Sequence, residues 1–349
     1  MSRWSAGSDL EVAVPPVVLS VDDASQVGEA RRNASAFCLT AGFDVAFVGR
    51  VALVVTEAAT NLTRHGRGGT LLLRIVDDGA GIEILCVDRG PGMADPARCV
   101  ADGFSTAGTA GKGLGAIKRI ASAFDLWSVP GGGTVVLARL LGPRQHNEDE
   151  SPELGVVSLP APGERIGGDT WAAERDDGVL RVCVADGLGH GPLAYEAASR
   201  ATAVFRANAR DTPAESLQRM HLALRPTRGA AIAVAHLERE TRQLRYVGVG
   251  NIAGLVLSRD RNHSLMSHNG TVGHEVRRVQ EVTVPWTPAS LLLMHSDGLQ
   301  TRWRPDQYPN VLDHHPAILA ALLHRDFTRG RDDVTVLALR ESPAGRGTA

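Results

Sequence analysis

The sequence predicts two α+β domains in tandem. The first is an α/β sandwich with helices on one face of a mixed, mainly antiparallel sheet; the second packs strands as two sheets with helices outside. Three observations carry this expectation. The chain has 349 residues, more than one ordinary core needs. A polar, aperiodic run at 142–154, GPRQHNEDESPEL, interrupts the hydrophobic patterning and reads as a linker. Before it, helical and strand-like periods mix; after it, short strand-like runs dominate.

Residues 24–41 space Val27, Ala30, Ala34, Phe37 and Cys38 along one helix face, and 44–64 repeat that period. Runs 70–77 and 81–88 read as strands joined by the turn Asp78-Gly79-Ala80. A further strand, 134–140, follows the turn Gly131-Gly132-Gly133, and 113–127 reads as a helix starting straight after glycines. Beyond the linker, strands are expected at 154–159, 179–185, 229–237, 243–249, 253–257, 280–284, 290–295 and 333–339. Helices are expected at 192–208, 213–225 and 314–324. No fixed period recurs, which sets solenoids and propellers aside.

The 37 Lys+Arg against 39 Asp+Glu leave a formal charge of −2, which excludes a general nucleic-acid binder because no concentrated positive surface is available. No stretch approaches the roughly 18 to 20 apolar residues of a membrane span. The N-terminal MSRWSAGSDLEVAV has neither the basic nor the apolar region of a leader. The expectation is a cytoplasmic chain that does not engage a membrane. Cys38, Cys86, Cys99 and Cys183 form no CxxC pair and read as packing residues.

Three elements of the first domain point to one chemistry. Glu57 and Asn61, at i and i+4 in TEAATN, leave one helix face a turn apart, where a carboxylate and a carboxamide can orient a nucleophile and hold Mg²⁺. In Asp88-Arg89-Gly90-Pro91-Gly92 a buried carboxylate at a strand end can accept from an exocyclic amine such as adenine N6. Gly111-Lys112-Gly113-Leu114-Gly115 leads into a helix, and bare N–H groups at a helix start bind phosphate. His65 reads as a helix-end residue.

In this order and spacing the three motifs resemble the N, G1 and G2 boxes of the GHKL ATP-binding superfamily. With Asp102-Gly103-Phe104-Ser105-Thr106 before the second glycine box and Gly113-Leu114-Gly115-Ala116-Ile117-Lys118-Arg119 after it, residues 15–141 are similar to the bacterial anti-sigma-factor and stressosome switch kinases. The resemblance implies ATP with Mg²⁺ as cofactor and Glu57 as the catalytic base for a serine or threonine hydroxyl. It also implies Asn61 as a Mg²⁺ ligand, Asp88 as adenine reader beside Gly90 and Gly92, and Gly111, Gly113 and Gly115, with Lys112 and Leu114, around the phosphates. Phosphoryl transfer is mainly positioning and charge neutralisation, so this small set suffices.

In the second domain single aspartates sit where strands run into glycine turns: Gly167-Gly168-Asp169, Val184-Ala185-Asp186-Gly187, His295-Ser296-Asp297-Gly298 and Gly330-Arg331-Asp332-Asp333. Such ends offer short carboxylates and unobstructed carbonyls to hard divalent ions. Together GERIGGD, VADGLGHG, GAAIAV, YVGVGN, MHSDGL and RDDVTVL resemble the metal-dependent serine/threonine phosphatases of the PPM, SpoIIE-type branch over 155–341, an αββα sandwich. The resemblance implies two Mn²⁺ or Mg²⁺ ions, with Asp186 bridging them beside the Gly187 carbonyl, Asp297 and Asp332 on one ion and Asp169 on the other. The ligand role of Asp333 stays open, and His190 reads as an exposed loop histidine.

The two resemblances together imply a bifunctional regulator of a bacterial partner-switching pathway. Its phosphatase would act on phosphoserine or phosphothreonine of STAS-domain anti-anti-sigma or stressosome proteins, opposed by the kinase-like domain. A sigma factor or a sigma-activating phosphatase are further candidate partners, and homodimerisation stays open. The alternative keeps the phosphatase and makes the first domain only an ATP-sensing or anti-sigma partner-binding module.

Overall fold

The computed structural model describes residues 8–12, 15–76, 79–101, 113–142, 152–176 and 178–341. Contacts divide the chain into an N-terminal unit, Pro16–Asn147 with Arg304–Arg325, and a C-terminal unit, Met1–Pro15 with Glu148–Trp303 and Asp326–Ala349. Strand β1 (Ser8–Val12) belongs to the C-terminal unit. The N-terminal unit follows with β2 (Val17–Val21), α1 (Gln26–Thr40), α2 (Val45–Asn61), β3 (Gly69–Val76), β4 (Gly81–Val87), α3 (Pro96–Val100), α4 (Gly113–Ile120), β5 (Ala123–Ser128) and β6 (Thr134–Leu141).

The sheet of the N-terminal unit runs β2-β3-β4-β6-β5 and is antiparallel throughout. Helix α2 starts at Asp44, whose carboxylate accepts from the Phe47 N–H at 2.8 Å and satisfies an otherwise free donor. Phe47, Val51, Val54, Val55, Ala58 and Leu62 then recur every three or four residues. They pack with Ala30, Ala34 and Cys38 of α1 over Leu71, Leu73, Ile82, Ile84 and Val136 of the sheet. By length and composition alone Val45–Gly66 meets the test for a membrane span, against the sequence expectation, yet its apolar stripe is this core. The helix expected over 113–127 ends at Ile120, and 123–128 form strand β5 instead. Phe124 and Leu126 join the helix-side core while Asp125 and Trp127 alternate to the other face, so pairing with β6 outweighs the local helical pattern.

On that other face Glu83 stands opposite Arg74 on β3 and Arg139 on β6. Its carboxylate takes Arg74 at 3.0 Å and Arg139 at 2.7 Å while only 1% exposed. Burial pushes the Glu83 carboxyl up, but the two guanidiniums outweigh it and hold it below the usual range. Residues 304–325 pack on the same side within this unit. Trp127 meets Tyr308 edge-on at 5.7 Å and donates to the Pro309 carbonyl at 3.0 Å, and Asp125 accepts from the His315 N–H at 2.6 Å.

The C-terminal unit continues with β7 (Glu153–Leu159), β8 (Asp169–Asp176), β9 (Val179–Gly187), α5 (Pro192–Ala207), α6 (Pro213–Ala223), β10 (Ala230–Glu238), β11 (Gln243–Val249) and β12 (Ala253–Leu257). Then come β13 (His263–Leu265), β14 (Gly270–Thr271), β15 (Glu275–Val276), β16 (Val282–Pro285), β17 (Leu291–His295), α7 (Pro316–Phe327) and β18 (Val334–Arg340). Most of α7 lies in the 304–325 segment counted with the N-terminal unit. One sheet runs β1-β8-β9-β10-β11-β16, the other β13-β12-β17-β18-β7, with β14 and β15 as a separate ribbon. The period of two sorts each strand. Leu180, Val182 and Val184 of β9 face Leu292, Met294, Leu337 and Leu339 across the sandwich, while Cys183 and Ala185 face Ala198, Ala201 and Phe205 of α5 and Leu217 and Met220 of α6.

The buried ion triad yields the first prediction. Glu83→Ala leaves two guanidiniums without their carboxylate and should destabilise the N-terminal unit by about 3 to 5 kcal/mol, read as a lower urea midpoint. A midpoint within error of the unaltered protein would refute it.

Candidate functional site

The first site is built where α2, β4 and α4 meet. Helix α2 runs into a π-helical turn, Leu62–Gly66, directly after Asn61, a distortion that often accompanies function. It lets Gly66 press on Asp88, where an added Cβ would stand 2.9 Å from the Asp88 Cβ. A cavity of about 870 Å³ opens there, lined by Glu57, Asn61, Asp88, Gly92, Gly113 and Thr134 among others. At Gly113 a Cβ would lie 3.1 Å from a Glu57 carboxylate oxygen and 3.3 Å from Asn61 Oδ1, so the start of α4 closes on both residues at once. The motif residues Glu57, Asn61, Asp88 and Gly113 are thus brought together.

Asp88 Oδ1 accepts from the Gly90 N–H at 2.8 Å and the Thr134 N–H at 3.1 Å, leaving Oδ2 for the cavity. Burial pushes its carboxyl up, and those two backbone donors, Arg325 and His65 oppose the shift. Asn61 Nδ2 is buried without a hydrogen-bond partner among the described residues. Such an orphaned amide is costly unless a ligand meets it, which fits a polar occupant. Leu114 also lines the cavity, whereas Gly90 and Gly115 are not among the residues that line it. His65, expected as a helix-end residue, lies in the π-turn and lines the cavity too. Gly111, Lys112 and the segment 102–106 lie outside the described residues.

The second site gathers acidic residues at the ends of β8, β9 and β17 and before β18. Asp169 and Asp186 are direct partners across β8 and β9. Asp169 accepts from Ser296 Oγ at 2.6 Å, and Asp297 from Asn251 Nδ2 at 2.8 Å. Asp333 accepts from the Ala161 N–H at 2.7 Å and the Gly168 N–H at 2.6 Å, so its carboxylate braces backbone. Among the described residues no three acidic or imidazole side chains close on a single point at ligating distance. They are nonetheless near enough to share their charge. Burial pushes the Asp186 carboxyl up, and Asp169, Asp297, Asp332 and Asp333 push it further; burial does the same to Asp169 against hydrogen bonds from Ser296 and Thr335. An all-oxygen set that resists ionising together fits hard divalent cations. Gly187 donates to the Gly168 carbonyl at 3.0 Å. His190 is exposed, 3.4 Å from Glu164. The supporting groups Ser296, Thr335 and Asn251 escaped the sequence reading, although all three stand inside motifs it singled out.

These two sites define the protein as an ATPase-type module joined to a phosphatase-type module. The profile of the histidine kinase-like ATPase domain matches residues 20–139, and that of stage II sporulation protein E (SpoIIE) matches residues 176–341. The chain belongs to the histidine kinase-like ATPases through the first stretch and is similar to the SpoIIE family through the second. Among relatives, it is 36% identical over 99 residues to the serine/threonine-protein kinase RsbT of Bacillus subtilis (strain 168), spanning 28% of this chain and 74% of that one. It is 28% identical over 157 residues to the phosphoserine phosphatase RsbX of the same organism, spanning 44% of this chain and 78% of that one. A solved structure described as "The bacterial stressosome: a modular system that has been adapted to control secondary messenger signaling" superposes with a TM-score of 0.52 at 29% identity, covering 55% of this chain and 100% of that one.

The raised Asp186 carboxyl sets a pH dependence. Stability tied to its protonated form is complete below the unfolded carboxylate value of about 3.9 and is lost as pH rises through the higher folded value. In metal-free protein the thermal midpoint should therefore fall from mildly acid to mildly alkaline pH, and Asp186→Asn should flatten the fall. Mn²⁺ should raise the midpoint of the unaltered protein more at pH 8 than at pH 6, because the cation displaces protons. Identical pH profiles for both proteins would contradict the assignment.

Proposed function

We propose that this protein is a two-headed regulator of partner switching. Its C-terminal unit removes phosphate from phosphoserine or phosphothreonine on STAS-type partner proteins in a metal-dependent reaction. Its N-terminal unit binds ATP with Mg²⁺ and phosphorylates such a partner. The observation that carries the reading is the half-buried Asp186 standing opposite Asp169 across β8 and β9, with Asp297, Asp332 and Asp333 near enough to push its carboxyl further up, a concentration of negative charge that costs stability unless cations bind it. The printed names of the two relatives, a serine/threonine kinase for one half and a phosphoserine phosphatase for the other, support it.

In the phosphatase, Asp169, Asp186, Asp297, Asp332 and the Gly187 carbonyl would hold two Mn²⁺ or Mg²⁺ ions. When bound, such ions supply Lewis acidity to phosphoryl oxygens and to an attacking water. The chain's own part is orientation. Ser296 and Thr335 fix Asp169, Asn251 fixes Asp297, and Asp333 holds the 160–168 backbone.

In the kinase, Glu57 would take the proton of the attacking hydroxyl, and Asn61 one turn later would hold the cation. Asp88 Oδ2 accepts the adenine amine while Oδ1 is locked by Gly90 and Thr134. Gly113 and Leu114, at the start of α4 and on the cavity wall, would meet the phosphates. A pure binding module needs no base next to Asn61, which favours transfer over the sequestration reading.

Three experiments test the two halves separately. Labelled ATP should transfer phosphate to a STAS protein, and Glu57→Ala should slow this by about 10² to 10⁴-fold, as removal of a general base does. ATP binding with no transfer to any STAS protein would leave only the sensing or anti-sigma module. Asp88→Asn should weaken ATP binding about tenfold or more by calorimetry, the loss of a charged hydrogen bond. Asp297→Ala should end Mn²⁺-dependent phosphate release from a phosphorylated STAS protein, and unchanged release would remove the metal assignment.

A further inference from the structure

Beside the acidic cluster lies a cleft of about 420 Å³ lined by Gln300, Thr301, Arg302, Arg329 and Arg331. Three arginines and no acid form its wall. The two loops that carry them are the loops that carry Asp297 and Asp332, and they are clamped backbone to backbone. The Arg329 N–H donates to the Gly298 carbonyl at 2.8 Å, the Gln300 N–H to the Phe327 carbonyl at 2.9 Å, and Leu299 bridges Thr328. Arg331 directly precedes Asp332, so their Cα atoms are about 3.8 Å apart. All three arginines are exposed, and none forms an ion pair among the described residues.

A positive wall is what the neighbouring chemistry lacks. Two divalent cations do not neutralise five carboxylates, so a phosphate ester with acidic neighbours would approach a net negative mouth. With a formal charge of −2 over the whole chain, the positive wall is a local feature and no part of a general polyanion surface. The planar guanidinium fork suits carboxylates, which it meets with paired hydrogen bonds.

We propose that this cleft is a specificity subsite of the phosphatase, taking carboxylate side chains that flank the phosphorylated serine or threonine of a protein substrate. The inference rests on the phosphatase reading above and adds the charge of the sequence around the phosphate. With the phosphoryl group at the acidic cluster, an extended peptide advances about 3.3 Å per residue, so flanking side chains one to three positions away reach the arginines. Arg302 and Arg329 then act as positioning residues, raising affinity for acidic segments without touching the reacting atoms.

The test compares the unaltered full chain with Arg302→Ala/Arg329→Ala in Mn²⁺, on p-nitrophenyl phosphate, a phosphoserine peptide flanked by glutamates and the same peptide flanked by alanines. The expected result is a KM for the acidic peptide raised about 3- to 10-fold, with kcat and both other substrates changed less than twofold. The contrast should shrink in 0.5 M salt, and Arg302→Lys/Arg329→Lys should restore part of it. Independently of turnover, anisotropy of a labelled, unphosphorylated acidic peptide on metal-free protein should show the same weakening. Equal losses on all three substrates, or no loss on any, overturn the subsite while leaving the phosphatase standing. Absence of phosphate release by the unaltered protein from every substrate removes the phosphatase reading and the subsite with it.

Discussion

Carboxylates forced together in a buried place repel one another and resist ionisation, and the C-terminal unit is organised around doing that. Pairing of β8 with β9 sets Asp169 opposite Asp186, and β17 and β18 deliver Asp297 and the Asp332-Asp333 pair from the other sheet. Backbone closeness makes the meeting possible. A Cβ on Gly187 would collide with the Ala194 carbonyl, and one on Gly298 with the Asp333 carbonyl. Two of the Asp-Gly pairs therefore mark places where main chains touch, beyond the turn preference that such pairs usually express.

The same device recurs in the N-terminal unit with different chemistry. Gly66, Gly90 and Asp88 are in mutual contact, and Gly113 brings α4 against the α2 face that bears Glu57 and Asn61. Here the close approach stands beside a cavity of about 870 Å³. On its other face the sheet beneath is tied together by Glu83 between two arginines, on the strand that leads into Asp88.

Much of this was legible in the sequence because the periods were clean. The α1 and α2 stripes and the β9 to β12 runs lie close to where the structure puts them. What escaped had physical causes. β5 was hidden because Phe124 and Leu126 extend the helical spacing of α4, and only its partner β6 decides otherwise. β1, β2 and β8 are short or interrupted by polar residues, and their status comes from long-range pairing. Ser296, Thr335 and Asn251 were invisible as supports because a hydroxyl or amide declares its role only through what it touches. Asp333, whose role the sequence left open, turns out to bind two backbone N–H groups.

Strand β1 pairs with β8, and the stretch 304–325 leaves one compact unit for the other and returns. Neither unit is therefore a contiguous piece of the gene product. Excising residues 152–341 would strip the outer partner from β8, baring a row of unpaired amides prone to sticking to other chains. It would also carry away the covering of Trp127. A protease nick in the 142–154 linker would cut one of four crossings and leave the fragments interleaved, held by the remaining three.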